Sequence, residues 1–380
     1  MKKIYLNVTL GLLFLIGIVF IACEAPDQPT YDKDNTDPNP TGKPAPTLNS
    51  ITPQEGYLKQ IVTIEGSGFN TVPEYNFIAF GKKEAEVITA TETQLEVEAP
   101  NIADETVEVK AAVKGSEFWS NTLEFTFKSV LAVITDEVNW PKGVDVDDEG
   151  NVYVGSATDE VIYMFAPDGT RSVFAEVAPN GAIGWGPEGY LYVCQQEGGK
   201  IVRISPDGGT VEDVVEVESP IDFDWGEDGT MYIVSNWSGL KMYDGSAVTH
   251  LIDIDNGKSC RVYGDAVYVT NIWDGQILKI PITDGGVGSA EIVYEGSSPV
   301  GLEIDAEGTL YFSEAWEKTL YTLAQDGYSE SLFEGQLMTP MRYFTFHNKK
   351  LYIVYPGWAD VGKVMSIYIG VEQAPNHGLE

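Results

Sequence analysis

Basic residues are scarce in this 380-residue chain: 23 Lys and Arg stand against 58 Asp and Glu, a formal net charge of −35. A field of that sign repels phosphate backbones, which excludes nucleic acid as a partner and disfavours sulfated or uronate-rich polymers. Cysteine and histidine are scarcer still, three of each. His250, His347 and His377 have no metal-pair spacing. Cys194 and Cys260 fall far apart and read as separate thiols, a disulfide between them staying open. No Gly-x-Ser-x-Gly elbow, phosphate loop or Cys-x-x-Cys occurs, which removes the commoner nucleophilic and nucleotide-binding templates. Aromatics, by contrast, make up 11% of the chain and apolar residues 43%. That is too much for a disordered acidic polymer, and enough for the cores of two or three domains.

One long apolar run exists, Leu6 to Ala22, behind the basic start Met1-Lys2-Lys3. It is too short, and too soon followed by Pro and Asp, for an ordinary spanning helix. Its end, Phe20-Ile21-Ala22-Cys23, resembles a bacterial lipobox. The resemblance implies a signal peptide over residues 1–22 and lipidation of Cys23, hence a cell-envelope address on the outer membrane, facing either the surface or the periplasm. Several acyl chains hold even an acidic protein on a bilayer, at about 0.8 kcal/mol per buried CH2. Residues 23–46 are rich in Pro, Asp, Asn, Thr and Gly and read as a flexible tether.

Residues 47–128 alternate with period two, as in Ile61-Val62-Thr63-Ile64-Glu65 and Leu123-Glu124-Phe125-Thr126-Phe127, with turn residues about every ten positions. This pattern predicts an antiparallel β-sandwich. The segments Ile51-Thr52-Pro53-Gln54-Glu55-Gly56, Val62-Thr63-Ile64-Glu65-Gly66-Ser67-Gly68-Phe69, Phe80-Gly81-Lys82-Lys83-Glu84-Ala85 and Gln94-Leu95-Glu96-Val97-Glu98-Ala99-Pro100 resemble the IPT/TIG immunoglobulin-like family. The resemblance implies a spacer or interaction module. Trp119 is expected to pack on the neighbouring domain.

Residues 129–370 repeat. An apolar-Tyr-apolar strand after a turn recurs at Tyr153, Tyr192, Tyr232, Tyr268, Tyr311 and Tyr352, with spacings of 39, 40, 36, 43 and 41. A period near 40 with four short strands per unit indicates a β-propeller. The units resemble NHL repeats, Ser298-Pro299-Val300-Gly301-Leu302-Glu303-Ile304-Asp305 being the clearest first strand. The sixth unit stops after three strands, while Val130-Leu131-Ala132-Val133-Ile134 precedes the first with an outer-strand pattern. An open ring would expose two unpaired edges. The expected architecture is therefore all-β: a sandwich, then a six-bladed propeller closed by its own N-terminal strand, and a tail at 371–380.

Ligands of propellers usually meet the loops after the second strand and those leading into the first. Trp237, Trp273 and Trp316 each stand five residues after a repeat tyrosine, Trp358 six after, and Trp140 precedes the first unit. Gln195, Asn271, Glu314 and Tyr355 come three after, with Asn236 beside them. Indoles with amides and one carboxylate suit stacking and orientation of a glycan or other small polar organic ligand. Rings wedged between blades would give the same spacing. Trp185 and Trp225, within first strands, are expected in the core.

Three functions remain: a non-enzymatic glycan or small-ligand binder, a docking scaffold for a cell-envelope protein, and a divalent-cation-dependent lactonase or esterase. The last rests on resemblance to the senescence-marker/gluconolactonase propellers, which hold one cation with Glu, Asn and Asp. Asn271 and Glu314 fall near those positions, but Pro141 and Pro299 replace the first-strand glutamate. No cofactor is expected on this reading, and Ca2+ is the weak alternative. The run Asp145-Val146-Asp147-Asp148-Glu149-Gly150 reads as an acidic turn without the length or final Glu of an EF-hand.

Overall fold

The structure, a computed structural model, describes residues 41–100, 102, 106–335, 337–357 and 361–378. The apolar N-terminal run, Cys23 and Trp358 lie outside the described residues. Two all-β units follow one another.

In the sandwich, Thr47–Thr52, Ile61–Ser67 and Gln94–Glu98 form one layer. Asn76–Phe80, Thr106–Val113, Leu123–Phe127 and the short Glu55–Gly56 form the other. Lys83–Ala90 crosses between them, Ala85 pairing with Ile78 and Val87 with Val97. The inward positions of the alternating strands make the core, in which Phe80, Phe125 and Phe127 meet edge to face. Gly66 and Gly68 serve different needs. Gly68 has φ +80°, whereas a side chain at Gly66 would collide with the Thr47 carbonyl and the Phe69 ring. Trp119 is half-buried and lies under the Lys110 ammonium of the same domain, 4.5 Å from its ring centre. Contact with the propeller runs through Tyr57, stacked 4.0 Å from Tyr368.

The second unit is a ring of six sheets. Blade 1 consists of Pro141–Val146, Val152–Ser156, Val161–Phe165 and Arg171–Glu176, each antiparallel to the next. Blades 2, 3 and 5 repeat this over residues 183–216, 220–252 and 299–332, and blade 4, residues 257–295, inserts a small hairpin. Blade 6 takes Arg342–His347, Lys350–Tyr355 and Val361–Tyr368 from the end of the ring and Leu131–Asn139 from its start. Leu131 pairs with Ile367 and Asn139 with Val361, so the seam is closed as expected.

The repeated residues explain themselves as contacts between blades. All six repeat tyrosines are buried. Tyr153 packs edge-on against Trp185 of the next blade, Tyr192 against Trp225 and Tyr311 against Phe346, with ring centres 4.9, 5.1 and 5.2 Å apart. Trp185 and Trp225 are thus core residues. First-strand carboxylates add a second tie. Asp145 accepts the Trp185 N–H at 2.6 Å and Asp224 accepts the Val262 N–H at 2.7 Å, each from the following blade. Deeper in the channel Arg261 donates to Asp222 at 2.9 Å, Glu303 at 2.6 Å and the Phe344 carbonyl at 2.9 Å, joining blades 3, 4, 5 and 6. Burial pushes Asp224 up to about 6 and Glu303 up to about 7 even so, because removal from water outweighs the nearby guanidinium.

Candidate functional site

The two faces of the ring differ. On the face of the turns after first strands, Asp147 accepts the Asn151 backbone and side-chain N–H groups and the Tyr153 hydroxyl. The acidic run there is a turn tied to its own blade, as expected. A cavity of about 350 Å3 opens on that face, lined by Asp145, Asp224, Arg261 and Glu303, with tail residues Gln373 to Asn376 across it. The tail is pinned by Ala306 N–H donating to Glu372 O and Ala374 N–H to Ile304 O.

The opposite face carries the tryptophans. Trp140, Trp237, Trp273 and Trp316 are 52, 55, 62 and 63% exposed, values incompatible with wedges between blades. Trp237 and Trp273, from neighbouring blades, touch each other edge to face with centres 4.5 Å apart. Trp140 lies under the Lys142 ammonium at 4.8 Å. Trp140 and Trp237 hold φ of +44° and +68°, backbone that bulky residues adopt only at a cost of order 1–3 kcal/mol.

The polar residues beside these rings have a different task from the one expected. Glu314 is buried and accepts hydrogen bonds from the Tyr294 hydroxyl at 2.8 Å, the Ser297 hydroxyl at 2.9 Å and the Ser297 and Ser298 N–H groups. Asn271, also buried, donates to Asp274 at 2.8 Å and accepts the Trp273 and Asp274 N–H groups. Gln195 donates to the Ala178 carbonyl at 3.2 Å, and Tyr355 is buried. Asn271 thus fastens the loop that carries Trp273, while Glu314 fastens the loop that leads into blade 5. Asn236 alone among these polar residues reaches the centre of the face, where its Oδ1 accepts a hydrogen bond from Lys258 at 3.1 Å.

That centre holds residues the sequence reading passed over. The first strands of blades 1, 3, 4, 5 and 6 each slip register beside their rim end, as between Lys142 and Val144 or Pro220 and Asp222. Such bulges turn a side chain out of the ladder. At or beside these slips Lys142, Ile221, Lys258, Val300 and Arg342 line one depression of about 50 Å3. Three of the five are cations. Burial lowers Lys142 and Lys258 to about 8, and repulsion from Arg342 adds to it in both, with Glu197 pulling the other way on Lys142.

This mouth does not fit the divalent cation of the gluconolactonase-like reading. Asn271 is committed to its own loop and Glu314 to the loop leading into blade 5, and an ion at the mouth would face two ammonium groups and a guanidinium. Cys194 and Cys260 are free and buried, in blades 2 and 4.

Comparison with known proteins agrees with this architecture. The IPT/TIG domain family matches residues 46–127. No curated protein matches the chain. A Bacteroides thetaiotaomicron protein of unknown function superposes with a TM-score of 0.54 at 14% identity, over 87% of this chain and 99% of its own. An auxiliary nutrient binding protein from the same species gives 0.51 at 11%, over 88% and 100%. A gluconolactonase of Xanthomonas campestris gives 0.55 at 15%, over 63% of this chain and 89% of its own. At these identities the likeness is one of fold. The chain joins an IPT/TIG domain to a six-bladed β-propeller.

Proposed function

We propose that this protein is a non-enzymatic binder held at the cell envelope by lipid on Cys23, and that the tryptophan-bearing rim of its propeller receives a glycan or another small polar organic ligand. The observation that carries the reading is the exposure of four indoles on one face, three of them at equivalent positions in consecutive blades. Burial of such rings against a ligand supplies binding energy that they do not give to the fold. The Trp273 loop is fixed beforehand by Asn271, so little ordering opposes binding there. The IPT/TIG domain serves as spacer between tether and ring. The nutrient-binding description of one structural neighbour accords with this role.

A glycan array, probed with the native protein and with the Trp237→Ala/Trp273→Ala double variant, tests it. Binding by the native chain, lost in a variant that unfolds at the native temperature, is the expected result. A variant that is destabilised, or one that binds undiminished, would refute the rim as a ligand face. Capture of an envelope protein instead of any glycan would leave the face but change the ligand.

A further inference from the structure

Lys142, Lys258 and Arg342 gather positive charge at the centre of the rim in a chain of net charge −35. All three are half-buried. Among the described residues no carboxylate forms an ion pair with any of them, and Arg342 Nε is buried without a hydrogen-bond partner. Arg261, in the same channel, shows what a structural cation looks like here: it is neutralised by Asp222 and Glu303. The upper three have no such ion pair, Glu197 acting on Lys142 only from a distance, and repulsion among like charges withdrawn from water opposes folding. Tyr343, next to Arg342 and lining the same depression, sits at φ +34°, a further strained residue.

We propose that this mouth is an oxyanion subsite, which seats one carboxylate or sulfate group of a compact ligand whose body lies on the Trp237 and Trp273 rings. The inference rests on the rim being the ligand face and specifies what that face selects. The depression is small, about 50 Å3, and suits a compact charged head group. Continuity with the rim is direct. Lys258 donates to Asn236, whose neighbour Trp237 touches Trp273, while Lys142 covers Trp140. The acidic exterior still disfavours a long polyanion. A single charge within the mouth, however, is governed by the cations around it, since the screening length at physiological salt is about 8 Å. Charge-assisted hydrogen bonds from a guanidinium and two ammonium groups are the strong kind.

Titration of the protein with methyl glucuronide, N-acetylneuraminic acid and a hexose 6-sulfate, each beside its uncharged counterpart at matched ionic strength, tests the subsite through tryptophan fluorescence. At least one acid is expected to bind about tenfold or more tighter than its neutral counterpart. That preference should vanish in Arg342→Met and Lys258→Met and return in Arg342→Lys. Which acid prevails separates carboxylate from sulfate. Equal binding of acid and neutral forms, an unchanged preference in Arg342→Met, or no binding of any acid would overturn the proposal. Trp273→Ala separates the two layers of the reading. If it weakens acid and neutral sugars alike, the rim stands whatever the mouth does. If acid binding survives it undiminished, the subsite stands and the rim does not.

Discussion

Replacing Lys258 by Met should trade function for stability. In the native fold burial and the neighbouring Arg342 and Lys142 lower this ammonium from 10.5 to about 8. At about 1.4 kcal/mol per tenfold change in proton affinity, that corresponds to a penalty of at most ~3 kcal/mol. The side chain keeps part of its surface in solvent, so screening reduces the penalty to roughly 1–2 kcal/mol. Met retains the apolar stem but gives up the hydrogen bond to Asn236, worth about 1 kcal/mol. The variant should therefore be as stable as the native protein at pH 7, or more stable by up to about 1 kcal/mol. The pH dependence has a definite sign. Between about 8 and 10.5 the unfolded chain holds more of this proton than the folded one, so native stability rises with pH and the penalty is gone above 10.5. Urea unfolding of both proteins at pH 7 and near pH 10 measures this, the difference between them cancelling the titration of other groups. The variant's advantage should shrink or reverse on going to high pH. A variant less stable by more than ~1 kcal/mol at pH 7, or a difference that ignores pH, would show that Lys258 supports the fold and has no strain to release.

Arg261→Met leaves Asp222 and Glu303 buried without their cation and should cost about 3–5 kcal/mol in urea unfolding; a loss under ~1 kcal/mol would remove its role as the tie between blades. Because burial holds the Asp224 and Glu303 carboxyls up at about 6 and 7, the folded state binds more protons than the unfolded one below those values. Stability should accordingly increase as pH falls from 7.5 towards 5.5, and a melting temperature that drops over that range would contradict the assignment. Cys194 and Cys260 should react with a thiol reagent only after unfolding, since both are buried and burial raises both thiols; rapid modification of the native protein would count against the blade packing described.

The ring was legible because its contacts repeat. The Tyr of each unit packs with first-strand residues of the next, so the period of about 40 records a packing rule, and an unpaired last edge demanded the strand at Leu131. The indoles were legible for the same reason, although the sequence could not separate wedges from an open rim; their exposure does. The polar residues after each tyrosine misled, because a buried Glu314 or Asn271 that accepts backbone N–H groups has the same spacing as one that greets a ligand. The three cations were hidden for two reasons. Net charge is a sum over the chain and carries no position, so 58 acidic residues masked one local cluster. A lysine after Pro141, one after Gly257 and an arginine after Met341 also share no motif; only the ring, which sets the first strands side by side, brings them to a common mouth.

The eight indole N–H resonances of the protein, recorded before and after addition of a glycan that binds on the array, test the central claim most directly. Trp237 and Trp273 should shift, with Trp185 and Trp225 unmoved in the core. Shifts confined to the buried pair, or an array on which neither neutral nor acidic glycans are retained, would contradict the account.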